Sequence, residues 1–255
     1  MTFPVYVTLL GHRIHPHLLL ELVAYTGGFQ LYLHLRRRSK TRLETESNLW
    51  VITGAILGAA VGSKLLAWVE SFEAYRPLLS DPRALLGGKT IVGGLLGGWI
   101  GVELAKWRLG IRRSTGDLMV FPLIFGMAVG RIGCFLTGLD DHTYGVATTL
   151  PWAVDFGDGI ARHPTQLYDI VFLAMLAAVL WLAKPRITGE GRLFRYFMGS
   201  YLLWRFMVEF IKPRELRIPA MNLSAIQLAS LAGAAVCAAS LVRGRTSLPE
   251  PEVIA

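Results

Sequence analysis

The chain has 255 residues, 53% hydrophobic and 17% charged, with a formal net charge of +8 and a mean hydropathy of +0.46. Soluble domains carry about 25% charged residues, so the composition excludes an ordinary soluble domain and points to a polytopic membrane protein. The excess of Lys and Arg is then that of helix-flanking residues facing an anionic leaflet, and nucleic acid is not an expected partner.

Spanning a bilayer takes about 20 mostly apolar residues. In chain order the expected helices are about 18–35, 49–69, 91–107, 117–137, 166–183, 193–211 and 222–242. The fold expected is all-α integral membrane with seven transmembrane helices, one polytopic domain over 1–242 and a cytoplasmic tail over 243–255. The stretch before the first helix, MTFPVYVTLLGHRIHPH, lacks a basic region, so it is not expected to be a cleaved signal peptide. The second helix carries Gly54, Gly58 and Gly62, and the third reads GGLLGGWIG. Both present small-residue faces suited to close helix packing, and bare backbone there is also open to lipid. Glu103 in the third helix is expected to serve packing or to pair with a nearby basic residue such as Lys106 or Arg108. Cys134 and Cys237 lie in separate apolar runs and make no disulfide framework.

Of the 26 Lys and Arg, fifteen fall in alternate connections that begin with RRRSKTR (36–42), eight fall in the other set, and Lys64, Arg131 and Arg205 lie within helices. By the positive-inside rule the N-terminus is outside and the C-terminus inside. Two connections on the outer side stand out. Residues 70–90 include ESFEAYRPLL, a candidate interfacial amphipathic segment. Residues 138–165 form a long extracytoplasmic loop between helices four and five, with β-type stretches such as TTLPWAVDF, and long ordered loops tend to carry function.

The three intramembrane cations all fall toward the outer side. An isolated cation at the bilayer centre costs about 2.5–3.5 kcal/mol on insertion scales. Snorkelling to the headgroups is one account of each, above all of Lys64. Two arginines at matched depth on different helices have a second account, an anion site, because the guanidinium binds phosphate in bidentate fashion. A phosphate in the outer leaflet is most simply a phospholipid headgroup. Glu209 lies one turn from Arg205 on the same face.

GRIGCFLTG (130–138), with YG at 144–145, resembles the signature of the bacterial prolipoprotein diacylglyceryl transferases. So do HPTQLYD (163–169), GGKTIVGGLLGG (87–98) and YLLWRFMVEFIK (201–212), in matching order over roughly residues 18–215. The resemblance implies a multi-pass enzyme of the bacterial inner membrane. Such enzymes move the diacylglyceryl group of phosphatidylglycerol to the thiol of a prolipoprotein cysteine and release glycerol phosphate. It implies phosphatidylglycerol, other membrane lipid and a prolipoprotein signal peptide as partners. Arg131 and Arg205 fall on the family's essential arginines. Gly130, Gly133, Gly138, Tyr144, Gly145, His163, Gln166, Tyr168 and Glu209 fall on motif positions, and Tyr25, or Glu21 beside it, falls near the tyrosine of the first helix.

Two positions depart from the pattern: Val92 stands where the family has a histidine, and Cys134 where it has an asparagine. The segment LDDHT (139–143) is also longer and more acidic than usual. Displacing a phosphate ester needs cations on the leaving group and a base for the nucleophile. Arg131 and Arg205 are the cations, assisted by Lys89 or Lys64. With Val92 in place, His142 and His163 are the candidate bases, either of which also serves as a plain loop residue. Asp140 or Asp141 is a candidate to orient a histidine or bind an acceptor. The expected substrate-binding residues are Tyr25, Lys89, Gly133, Gly138, Asp140, Tyr144, Gln166, Tyr168 and Glu209. No cofactor and no metal are expected: Asp140, Asp141 and His142, adjacent in one loop, make a poor ligand set. Two other functions stay open, the same lipid-donor chemistry on a different acceptor (a lipid, sugar or amine) and a non-catalytic lipid-binding or transport protein. The chain has no internal repeat of the kind transporters often show.

Overall fold

The computed structural model describes residues 3–9, 11–39, 43–72, 87–213 and 222–243. Most of the segment read as amphipathic, residues 73–86, and the tail after residue 243 lie outside the described residues. Seven α-helices of 17 residues or more lie within them. They are α1 (Pro16–Arg38), α2 (Thr45–Glu70), α3 (Ile91–Arg108), α4 (Val120–Thr137), α5 (Thr165–Ala183), α6 (Arg192–Val208) and α7 (Ala225–Arg243). Four stretches are long and apolar enough to cross a membrane: Thr45–Glu70, Gly116–Asp141, Thr165–Arg186 and Ala225–Arg243. The protein is therefore an all-α membrane protein.

Polar side chains set the helix ends. Pro16 opens α1, and Arg36, Arg37 and Arg38 close it against the negative end of its dipole. The hydroxyl of Thr90 accepts from Gly93 N at 3.2 Å to start α3. Asp117, in a short 3-10 turn ahead of α4, reaches the start of α6 and accepts from Gly191 N and Phe194 N at 2.7 and 2.9 Å. At α7, Ser224 and Gln227 cap reciprocally: Ser224 Oγ accepts from Gln227 N (3.1 Å) and Gln227 Oε1 from Ser224 N (3.0 Å).

Three helix pairs form the body: α1 with α4, α2 with α3, and α6 with α7. The α2–α3 contact rests on the glycines read from the sequence. A Cβ on Gly54 would lie 2.6 Å from the carbonyl oxygen of Gly101 and one on Gly62 2.8 Å from Gly97 Cα, so only glycine permits this approach. Glu103 pairs with Lys106 at 2.8 Å. The packed core lies among α4, α5, α6 and α7, around Val120, Leu173, Phe197, Met198, Tyr201 and Leu202, with Val92 of α3 closing its edge. Both cysteines are free and buried.

Short β elements lie at one end of the bundle. A hairpin the hydropathy pattern does not announce, β1 (Val7–Leu9) with β2 (His12–Ile14), leads into α1. The long loop between α4 and α5 contains β3 (Val154–Asp155) paired with β4 (Ala161–Arg162). The loop is stitched to the bundle through Val146 N, which donates to Ile211 O at 2.8 Å, and Gly145 N, which donates to His163 O at 2.8 Å. A Cβ on Gly145 would lie 2.6 Å from that of His163 and 2.8 Å from Ile211 O, so this seam requires glycine.

Candidate active site

Because α1 leans on α4 and α2 on α3, a groove opens between the two pairs. It encloses a cavity of about 1020 Å³. Its long walls are apolar: Ala24, Gly28 and Phe29 of α1, Ile52, Ala55, Ile56 and Ala59 of α2, and Pro122, Leu123 and Gly126 of α4. At one end the lining turns polar, with His17, Glu21, Tyr25, Lys89, Arg131, Cys134, Asp141, His142, Tyr144, Arg205, Glu209 and Lys212. An apolar trough with a charged head has the form of a phospholipid site.

Arg131 and Arg205 come together at that head, both about 95% buried. They arrive already paired. Arg131 Nε lies 2.7 Å from Asp169 Oδ2, Arg205 Nη1 lies 3.9 Å from the same oxygen, and Arg205 Nη2 donates to Glu209 Oε2 at 2.7 Å. Trp204 Nε1 holds the other oxygen of Asp169 at 2.7 Å. Buried ions need such partners, since desolvation costs several kcal/mol per ion. The pairing still leaves donor capacity: Arg205 Nε and Nη1 are buried without a hydrogen-bond partner among the described residues. Asp169, on α5, is absent from the expected site residues. Its signal is present in the sequence, since an acid in an apolar helix needs a cation as surely as the reverse.

Beside the arginines, α1 contributes a second polar group. Tyr25 Oη donates to Glu21 Oε1 at 2.8 Å, and Lys89 Nζ reaches the same oxygen at 3.2 Å. His17 sits between two carboxylates, its Nε2 3.8 Å from Glu21 and its Nδ1 3.6 Å from Asp141. Gly133 eases this approach. It lies where α1 crosses α4, and even a Cβ there would come to 3.3 Å of Leu20 and 3.4 Å of His17 Cα. His17 escapes a linear reading because only this crossing brings it to Cys134 and Asp141.

The expected site residues divide. Arg131, Arg205, Glu209, Tyr25, Lys89, Tyr144 and His142 line the cavity. Gly133 is buried at the α1–α4 crossing, and Gly138 closes α4 at φ 74° with Phe3 packed on it. Asp140 is exposed and borders a smaller recess with His15, Leu18 and Thr137. His163 and Tyr168 lie outside the cavity lining and serve the loop: His163 Nδ1 is 3.1 Å from Tyr168 Oη, which accepts from Trp152 Nε1 at 2.8 Å. Gln166 is fully buried in the first turn of α5, away from the cavity. Lys64 donates to the carbonyls of Gly87 and Gly88 at 3.2 and 2.9 Å, and it too is absent from the lining.

Outside the membrane-crossing stretches, the two hydrogen bonds from Arg162 hold the exposed Asp158 carboxyl below its ordinary range. The Arg162 guanidinium also lies over the Tyr144 ring, 5.0 Å from its centroid, which ties the loop to the cavity wall.

The family model for prolipoprotein diacylglyceryl transferase matches residues 4–243. A phosphatidylglycerol–prolipoprotein diacylglyceryl transferase of Ectopseudomonas mendocina is 34% identical over 229 residues, covering 82% of this chain and 80% of its own. Proteins of the same name from Nitratidesulfovibrio vulgaris (32% identical, 84% and 83% covered) and Bordetella parapertussis (31%, 74% and 75%) are also similar. With a family model matched along nearly its whole length and relatives at this level of identity, the chain belongs to the prolipoprotein diacylglyceryl transferase family.

Proposed function

We propose that this protein transfers the diacylglyceryl group of phosphatidylglycerol to the cysteine thiol of a prolipoprotein and releases glycerol phosphate. The observation that carries the reading is the pair Arg131 and Arg205 on the lining at the polar head of an apolar groove of lipid dimensions. Named activities of the relatives supply the reaction class. The acyl chains lie in the trough between α1 and α2, and the phosphate meets the two guanidiniums. As the bond from glyceryl carbon to oxygen breaks, negative charge grows on the departing phosphate, and fixed cations in a dry site stabilise that growth. Lys212 and Lys89 on the cavity wall add point charges.

The reading places the enzyme in a bacterial inner membrane, crossed seven times, with the N-terminus outside and the polar head of the groove in the outer half. The asymmetry of Lys and Arg supports that orientation. Trp50, Trp107 and Trp181, all more than half exposed, lie together at the opposite ends of the helices and mark a membrane interface there. Tryptophan in that position anchors helices at headgroup level.

A second reading keeps the donor chemistry and changes the acceptor. Val92 favours it: it is 1% exposed, packed in the core edge, and supplies no base where the family has a histidine. One experiment separates the two. The protein is expressed in a strain depleted of its own prolipoprotein transferase, and growth and total lipids are followed. Rescue with thioether-modified prolipoprotein supports the first reading. A new lipid species without rescue selects the second, and the absence of both refutes lipid transfer altogether.

A further inference from the structure

We propose that His17, Cys134 and Asp141 form a divalent-metal site of the zinc type, with an open position that takes the acceptor cysteine as a thiolate. The inference rests on the proposed transfer to a thiol. One nitrogen, one sulfur and one carboxylate oxygen lie within 4.8 Å of one another. His17 Nδ1 and Asp141 Oδ1 are 3.6 Å apart, and adjacent ligands of a tetrahedral ion with bonds of about 2.0–2.3 Å stand roughly 3.4 Å apart. His17 Nδ1 is buried and has no hydrogen-bond partner among the described residues, an orphaned nitrogen aimed into the cluster.

The ligands are braced from behind, as metal ligands are. Nε2 of His17 faces Glu21, which Tyr25 and Lys89 hold in turn. The second carboxylate oxygen of Asp141 accepts from the Thr143 hydroxyl. Three protein ligands leave one position open, as in catalytic zinc sites. All three line the cavity that also holds Arg131, so that position faces the lipid head. A thiolate, an imidazole and a carboxylate suit zinc and disfavour magnesium and calcium.

The site answers a chemical need. Transfer to sulfur requires a thiolate, and buried Val92 cannot take a proton. A thiol that binds such a cation is deprotonated outright. In the step, the acceptor thiol gives its proton to water on coordination. Its sulfur lone pair forms the carbon–sulfur bond at the glyceryl carbon. The carbon–oxygen bond to phosphate breaks, and its electron pair leaves with glycerol phosphate beside Arg131 and Arg205. Nothing is oxidised or reduced, and Cys134 stays a ligand throughout.

The test uses the full chain in lipid nanodiscs titrated with cobalt(II). One cobalt per chain with a near-ultraviolet sulfur-to-cobalt band is expected. Cys134→Ser should abolish the band, and Cys237→Ser, in the cysteine remote from the cavity, should keep it. His17→Ala and Asp141→Asn should weaken cobalt binding by about tenfold or more. A peptide with a single cysteine should intensify the band, and its serine counterpart should leave it unchanged. No band in the wild type, or a band that survives Cys134→Ser, overturns the site. A band that ignores the cysteine peptide overturns the thiolate role. Full transfer to the peptide after chelation overturns the metal inference and leaves the proposed function standing. A cobalt site that responds to the peptide without any transfer sinks the proposed function and upholds the site.

Discussion

Asp169 shows what a single residue decides. Its carboxylate touches Arg131, lies near Arg205 and is oriented by Trp204. Replacing it with alanine leaves two buried guanidiniums sharing one carboxylate, and breaking a buried pair in this way costs about 3–5 kcal/mol. Asp169→Ala is therefore expected to unfold at markedly lower temperature in detergent, with Asp169→Asn, which keeps the bond to Trp204, in between. Arg131→Ala and Arg205→Ala are expected to lose diacylglyceryl transfer by about 100-fold or more. The assay is lipid transfer in proteoliposomes on protein that passes a thermal-unfolding check, and near wild-type turnover in both would remove the phosphate site. The arginines are legible in the sequence because a cation inside an apolar run has few explanations. Asp169 is legible by the same rule once acids are weighed with bases. His17 is not, because its partners come from a crossing angle.

At the level of elements, each of the seven expected apolar stretches lies on a helix, and four of them are long and apolar enough to cross a membrane. The hairpin before α1 escapes it: strands of three residues are too short to show a period. The glycine faces of α2 and α3 are legible as spacing, and the structure shows how tight their contact is. Gly97→Leu is expected to separate the pair at a cost of about 1–3 kcal/mol or more, measured as a fall in unfolding temperature. An unchanged value would mean that the pair does not rely on close backbone approach. The loop between α4 and α5 has its own pH dependence. Since the Asp158 pKa is depressed in the fold, its contribution is present above the unfolded carboxyl value of about 3.9. It is lost as pH falls through the lower folded value. Amide exchange over Gly157–Arg162 should accelerate there, and Asp158→Asn should exchange fast at all pH.

For the whole molecule, orientation is the first thing to test. Reporter fusions in the 109–115 connection and after residue 243 are expected to report the cytoplasm, and fusions in the 146–160 loop the exterior. A reversed pattern would move the groove's polar head to the inner leaflet. The trough between the two helix pairs carries a kinetic consequence. Its apolar walls are continuous with the lipid-facing surfaces of α1 and α2, where Leu22, Phe29, Ile56 and Leu57 are exposed. A donor lipid is therefore expected to slide in sideways, without crossing water. Its encounter with the site is diffusion in two dimensions, so turnover should follow the mole fraction of the donor in the bilayer. Diluting whole vesicles in buffer should leave the rate per enzyme unchanged, and diluting the donor with neutral lipid should lower it.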